Sequence, residues 1–538
     1  MPRAFRAYLL TVLAIAGASL AAVPSMSPAP SAQSQAVRLL GTDTADSPLG
    51  DGTALVMGPS TLSLPPQPYL DLADELYLQP RGFTGTTEAL FTPEGLYPIT
   101  GPKSLTYLAS VAQGQQILDS AIHQQIATGQ VSAEDPVVVF GWSQSAGISS
   151  LTMQQLHDEG VPSDYVHFVL VGDPNLPNGG MFARFDVPAG DGLSIPSLGF
   201  SASAPTPSGE YPADIYTTEY DGVADFPRYP INLLSDVNAL LGFLLQHSTY
   251  LSLTPEQLTP VADGGEAILL PGSAALTGEG LTNYYMIPAE NLPLLQPLQL
   301  IPFIGQPLYD LLEPDMRILV NLGYGSITDG WDPGPANEFT PFGLFPTDLN
   351  WSDVFAALAN GLQQGVTDSV QQLLNPDNYN PLSILDSPLL ANVVSLVHAF
   401  GLTDATDISQ LLNLPALLEL ARNGLGDLAG FPASDVSLFT SSPTEIINML
   451  SATLSADYAA LLPVADSVNA LFTSLPAYNL SLFMDNLEAG DLIGAIGEPI
   501  AADVGLIPFL GVLEAGAPIA IAIAGTLVNF ADLIGLGG

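Results

Sequence analysis

The chain has 538 residues, enough for two or three domains with a sizeable core. At 47% hydrophobic and 12% charged it is too apolar for a disordered chain, and its 48 prolines and 50 glycines break it too often for a multi-span membrane protein. Nine Lys and Arg against 54 Asp and Glu give a formal net charge of -45, which excludes nucleic acid as a partner, and the lack of cysteine excludes disulfides, thiolate metal sites and a cysteine nucleophile.

The N-terminus carries Arg3 and Arg6, then the apolar run from Tyr8 to Val23, with Ser19-Leu20-Ala21 as a small-residue cleavage signal. This predicts an export signal peptide over 1–23. The run is short for a bilayer span of about 20 residues, which favours cleavage over anchoring and a secreted or cell-envelope location. Residues 24–50, rich in Pro, Ser, Ala and Gln, read as a flexible leader. A strand is expected at Thr53–Met57, followed by Gly58-Pro59-Ser60-Thr61. An amphipathic helix is expected from Lys103 to Ala127, a strand at 137–140, a helix at 144–158 and a strand at Asp164–Val171. A strand at Ala213–Thr218 and a helix at 230–246 follow. Helices alternating with wholly apolar strands predict an α/β fold with a parallel sheet over 51–340. The apolar stretch Leu281 to Leu311 reads as a lid or acyl-binding wall, or equally as cover for the sheet. From 341 to 538 the chain is apolar and helical in pattern, with Arg422 its one Lys or Arg. Its uncharged run at 516–530 reads as a buried or capping helix, with membrane or acyl-chain contact as the alternative.

Two segments fit the pattern G-x-S-x-[GS], so the pattern alone decides little. Gly199-Phe200-Ser201-Ala202-Ser203 has neither a predicted strand before it nor a helix after it. Gly141-Trp142-Ser143-Gln144-Ser145 lies between an apolar strand and a helix, the context of a nucleophile elbow. Ser143 is therefore the candidate nucleophile. The small residues Gly141 and Ser145 relieve crowding at the turn, and the Gln144 N–H at the helix start is a candidate oxyanion donor. A second donor is expected after the first strand, from the backbone of Ser60 or Thr61, because Pro59 has no N–H.

A serine needs a base, and the base an orienting acid. His123 and His157 fall on polar helix sides, and His167 precedes any plausible acid. Of His247 and His398, chain order and proximity favour His247. Asp221 ranks first for the acid because it sits at the end of the later strand. Asp225 and Asp173 are alternatives, and each of the three also suits a turn cap. Neither "NPDNYN" (375–380) nor "GDPNLPN" matches a calcium loop, so no metal and no cofactor is expected.

Together, "VFGWSQSAGI", "VLVGDPNLPNGG", "YDGVADFPRYPINLL" with "QHSTY", and "LLEPDMRILVNLGYG" resemble the PE-PPE-domain serine hydrolases of mycobacteria, which are cutinase-like α/β hydrolases. The resemblance spans roughly residues 50–340 of the chain. It implies an esterase or acyltransferase acting on acyl esters, including cell-envelope lipids. It also implies Ser143 as nucleophile with Asp221 and His247 as acid and base, and a scaffold role for the "VGDP" segment that demotes Asp173. The chain opens on an export signal rather than a PE or PPE helical module, which points to the general secretory route. A non-catalytic lipid-binding protein on the same scaffold is the reading from another class.

Overall fold

The computed structural model describes residues 49–100, 104–301, 303–375 and 441–512, and Thr526. The export signal, nearly all of the leader, His398, Arg422, most of "NPDNYN" and all of 516–530 except Thr526 lie outside the described residues.

Nine strands are formed among the described residues. They are β1 (Thr53–Val56), β2 (Thr86–Ala89), β3 (Val137–Trp142), β4 (Val166–Val171), β5 (Ser194–Ile195), β6 (Phe200–Ser201), β7 (Ala213–Thr218), β8 (Ile268–Leu269) and β9 (Thr282–Ile287). Seven make one sheet in the order β2-β1-β3-β4-β7-β9-β8, parallel throughout except for β8, while β5 and β6 pair as a separate hairpin. The helices that matter here are α1 (Gln67–Ala73), α2 (Tyr107–Ala127), α3 (Gln144–Glu159), α4 (Leu233–Leu245), α5 (Gly305–Asn321), α6 (Trp351–Leu374), α7 (Pro443–Phe472), α8 (Ser474–Ala489) and α9 (Leu492–Phe509).

The apolar runs behave as strands buried on both faces. Val138, Phe140 and Trp142 of β3 join Val169 and Val171 of β4 in one core. The alternate residues, Val137 and Val139 with Phe168 and Leu170, join the other. The helix α2 begins four residues later than its apolar pattern suggested, because Thr106 caps it by accepting the Ala109 N–H. The strands β2 and β9 were not expected. The former is an edge strand with the polar sequence Thr-Thr-Glu-Ala. The latter lies within the 281–311 stretch, where Tyr284, Tyr285, Met286 and Ile287 are buried against the sheet.

Chain order steps from β1 out to β2, then returns to the other side of β1 with β3. Such a switch point opens a crevice at the carboxyl ends of the two central strands. The loop carrying Ser60 leaves β1 there, and Ser143 follows β3.

The described part of the C-terminal region shares a core with the sheet domain. Leu475, Tyr478, Leu506 and Phe509 cluster with Phe185 and Phe226. The Tyr478 hydroxyl donates to the Phe185 carbonyl at 3.2 Å, and the Tyr97 hydroxyl to Asp466 at 2.5 Å. Small residues let α9 lie close: a Cβ at Gly505 would stand 2.8 Å from Pro230, and one at Gly497 2.3 Å from Leu344.

Candidate active site

The turn from β3 into α3 holds Ser143 at φ 59° and ψ -116°. A non-glycine residue there costs about 1–3 kcal/mol, which the surroundings must offset. They do so through backbone and side chain together. The Ser143 N–H donates to the Val171 carbonyl at 3.0 Å. The Ser145 hydroxyl accepts the Trp142 N–H at 2.8 Å and donates to the Trp142 carbonyl at 3.0 Å, so this small residue also fastens the turn. Glycine is required at 141, where a Cβ would lie 2.8 Å from the Ser145 carbonyl oxygen.

Three chain-distant groups meet at this turn. The Ser143 Oγ is 2.8 Å from His247 Nε2. His247 Nδ1 is 2.9 and 2.7 Å from the two Asp221 oxygens. Asp221 is fully buried and His247 nearly so. Asp221 also accepts the Val223 N–H at 2.9 Å and the Tyr250 hydroxyl at 2.7 Å. These donors hold the buried carboxylate in place, and it fixes the tautomer that leaves Nε2 facing the serine. The histidine is positioned from two further sides. The Trp142 indole N–H donates to its carbonyl at 3.2 Å. Gly172, at φ 60°, leaves the ring its space: a Cβ there would be 2.9 Å from His247 Cε1.

The other sequence candidates are placed elsewhere. Asp225 accepts the Tyr220 N–H at 2.9 Å and makes no bond to His247. Asp173 accepts the Asn175 N–H at 3.0 Å and the Thr206 hydroxyl at 2.6 Å, bracing its own loop. Burial lifts its carboxyl to about 6, and those two donors pull the other way. His167 pairs with Asp214 at 3.0 Å, and His123 with Asp119 and Glu159 at the surface. Ser201 lies on β6, its hydroxyl on the Leu193 carbonyl.

The oxyanion candidates separate. As the first residue of α3, Gln144 has a backbone N–H with no intrahelical acceptor. Thr61 is corrected: its N–H donates to the Glu94 carbonyl at 2.9 Å and is not available to a substrate. Ser60 borders the cleft beside Ser143 and remains the candidate for the second donor. Its hydroxyl donates to Gln144 Oε1 at 2.7 Å, while Gln144 Nε2 donates to Ser110 at 2.7 Å. The Gln144 side chain thus ties the β1 loop to the elbow and to α2.

A cleft of about 920 Å³, including its solvent-open mouth, adjoins these groups. One side comes from Leu193, Ile195, Leu198 and Phe200 of the β5–β6 hairpin. Phe182, Phe243 and Tyr97 add to it, and the end of α9 supplies Leu506 and Phe509, with Leu510 just beyond. Among the described residues none of 281–311 lines it, so the expectation of a lid or acyl wall there is corrected: that stretch supplies β9 of the sheet and runs on into α5. Sequence reasoning gave no role to Tyr250, Trp142, Gly172 or Ser110. Tyr250 closes "QHSTY" and Trp142 precedes the serine, so proximity to the motifs was the signal on offer.

The parallel sheet, the strained serine at its switch point and the bonded histidine and aspartate define an α/β-hydrolase-like domain. The PE-PPE domain model matches residues 84–325. A PPE family protein of Mycobacterium tuberculosis, PPE28, is 39% identical over 502 residues, covering 92% of this chain and 69% of its own length. The protein named esterase PE16, from the same organism, is 41% identical over 389 residues, 70% of this chain and 68% of its own. A diacyltrehalose acyltransferase of M. tuberculosis is 26% identical over 258 residues, 47% of this chain and 66% of its own. The chain belongs to the PE-PPE domain family.

Proposed function

We propose that the protein is a serine enzyme acting on acyl esters, with hydrolysis as its reaction. The unbroken contact from Ser143 through His247 to Asp221 carries this reading. His247 takes the Ser143 proton as Oγ attacks the acyl carbonyl, and Asp221 stabilises the imidazolium that results. The N–H groups of Gln144 and Ser60 receive the developing oxyanion; one such donor is worth about 3 kcal/mol of barrier. His247 returns the proton to the departing alkoxide, leaving an acyl-enzyme on Ser143. Water, deprotonated by His247, attacks that ester and frees the acid and the serine.

The relative named an esterase supports water as acceptor. The relative named a diacyltrehalose acyltransferase supports a second reading, in which a sugar or lipid hydroxyl attacks the same acyl-enzyme. The non-catalytic lipid-binding alternative would leave Ser143 unreactive. The apolar run after Arg3 and Arg6 supports a location of the mature enzyme outside the cytoplasm.

Fluorophosphonate labelling with the modified peptide located by mass spectrometry tests it. Label on Ser143, abolished in Ser143→Ala and His247→Ala, is the expected result. Folded protein that takes no label, or label surviving Ser143→Ala, overturns it.

A further inference from the structure

We infer that the end of α9, which lies beyond the family domain, is the wall that selects linear medium- to long-chain acyl groups for Ser143; this rests on the acyl-enzyme reading above. The cleft has polar groups where the chemistry is, at Ser60, Ser143 and Gln144, and is otherwise walled almost wholly by apolar side chains. An acetyl group would touch little of this apolar lining; a chain of many methylenes is needed to use it.

That wall is built from two directions. The hairpin β5–β6 belongs to the sheet domain. Leu506, Phe509 and Leu510 come from far along the chain, past residue 325 where the family match ends. Their placement is fixed by packing. The small residues of α9 bring its backbone onto the domain, with a Cβ at Gly505 only 2.8 Å from Pro230. The Phe509 ring then packs on Phe226, centroids 5.6 Å apart. It also stands 3.3 Å from where a Cβ at Gly222 would lie, beside Asp221. Leu506 and Phe509 are almost wholly buried, yet they face the cleft, so a change in their volume is felt by whatever occupies it.

The test uses the full mature chain and two fluorophosphonates whose phosphorus-linked alkyl group is ethyl or dodecyl. The ratio of their labelling rates at Ser143 is the readout. Leu506→Trp fills the cleft, and should slow the dodecyl probe about tenfold or more relative to the ethyl probe. Phe509→Ala enlarges it and should raise the dodecyl rate relative to the ethyl rate. The ethyl rate shows that each variant retains a working site. If both variants keep the wild-type ratio, or lose both rates equally, α9 is not the selecting wall although Ser143 is still reactive. If the wild type takes neither probe at Ser143, the acyl-enzyme reading falls first, and this inference with it.

Discussion

Gly172→Ala adds one carbon beside the base and nothing else. The new Cβ would lie 2.9 Å from His247 Cε1 and 2.8 Å from Tyr250 Cε2, where about 3.4 Å is the near limit of ordinary contact. The imidazole must therefore retreat by about 0.5 Å. Taken along the line to the serine, that stretches the 2.8 Å contact between Nε2 and Ser143 to about 3.3 Å, past the usual limit for an N···O bond. Misplacement on this scale costs roughly 10–100-fold in kcat/KM. The variant also places alanine at φ 60°, about 1–2 kcal/mol of strain, with overpacking of about 1–3 kcal/mol on top. Gly160→Ala separates the two effects. It has φ 77° with no atom within 4 Å of the added carbon, so it carries the strain without the contact. The assay is kcat/KM on a p-nitrophenyl ester, with calorimetric Tm measured beside it. Both variants should lose stability and only Gly172→Ala should lose activity. Near-wild-type activity in folded Gly172→Ala would refute the argument that His247 works from this position.

Tyr250→Phe removes the hydroxyl that donates to Asp221 and accepts the Thr218 N–H at 3.1 Å. A typical hydrogen bond is worth about 0.5–1.5 kcal/mol, so kcat should fall about two- to tenfold with KM unchanged; a rise in KM alone would count against a positioning role. Glu94 is buried, and burial lifts its carboxyl from 4.5 to about 8, with only the Thr92 hydroxyl opposing. Between those pH values the folded chain keeps a proton that the unfolded chain has released, so stability falls as pH rises through the window. The loss is about 5 kcal/mol at most, and Glu94→Gln should remove it. Urea denaturation at pH 5 and pH 8 measures the difference; an equal decline in both proteins would show that Glu94 is not its source.

The sheet was legible where burial on both faces writes a solid apolar run. For Ala213–Thr218 the strand begins and ends as expected, and β3 runs only two residues further than its apolar core. It was illegible where that signal is missing. The edge strand β2 has one covered side at most and a polar sequence, so nothing separated it from a loop. The strand β9 was hidden by neighbours, since Leu, Pro and Ile continue on both sides of it and blur its ends.

The site was legible to the extent that its chemistry needs unusual local structure. A serine between an apolar strand and a helix is a backbone statement as much as a catalytic one, and it separated Ser143 from Ser201 without coordinates. Chain order then drew attention to Asp221 and His247, the residues the structure brings to it. The oxyanion loop resisted, because whether Thr61 has a free N–H depends on Glu94, more than thirty positions later, and no local rule connects them. The α9 wall was further out of reach. Gly494, Gly497, Ala501 and Gly505 are small, which reads equally as a membrane face or a capping helix until the partner is known. Only the fold shows that these small residues bring the backbone close, and that this closeness sets Leu506 and Phe509 in the wall of the cleft that Ser143 borders. A segment can therefore shape a site while carrying none of the site's chemistry, and motif reading, which follows chemistry, passes over it.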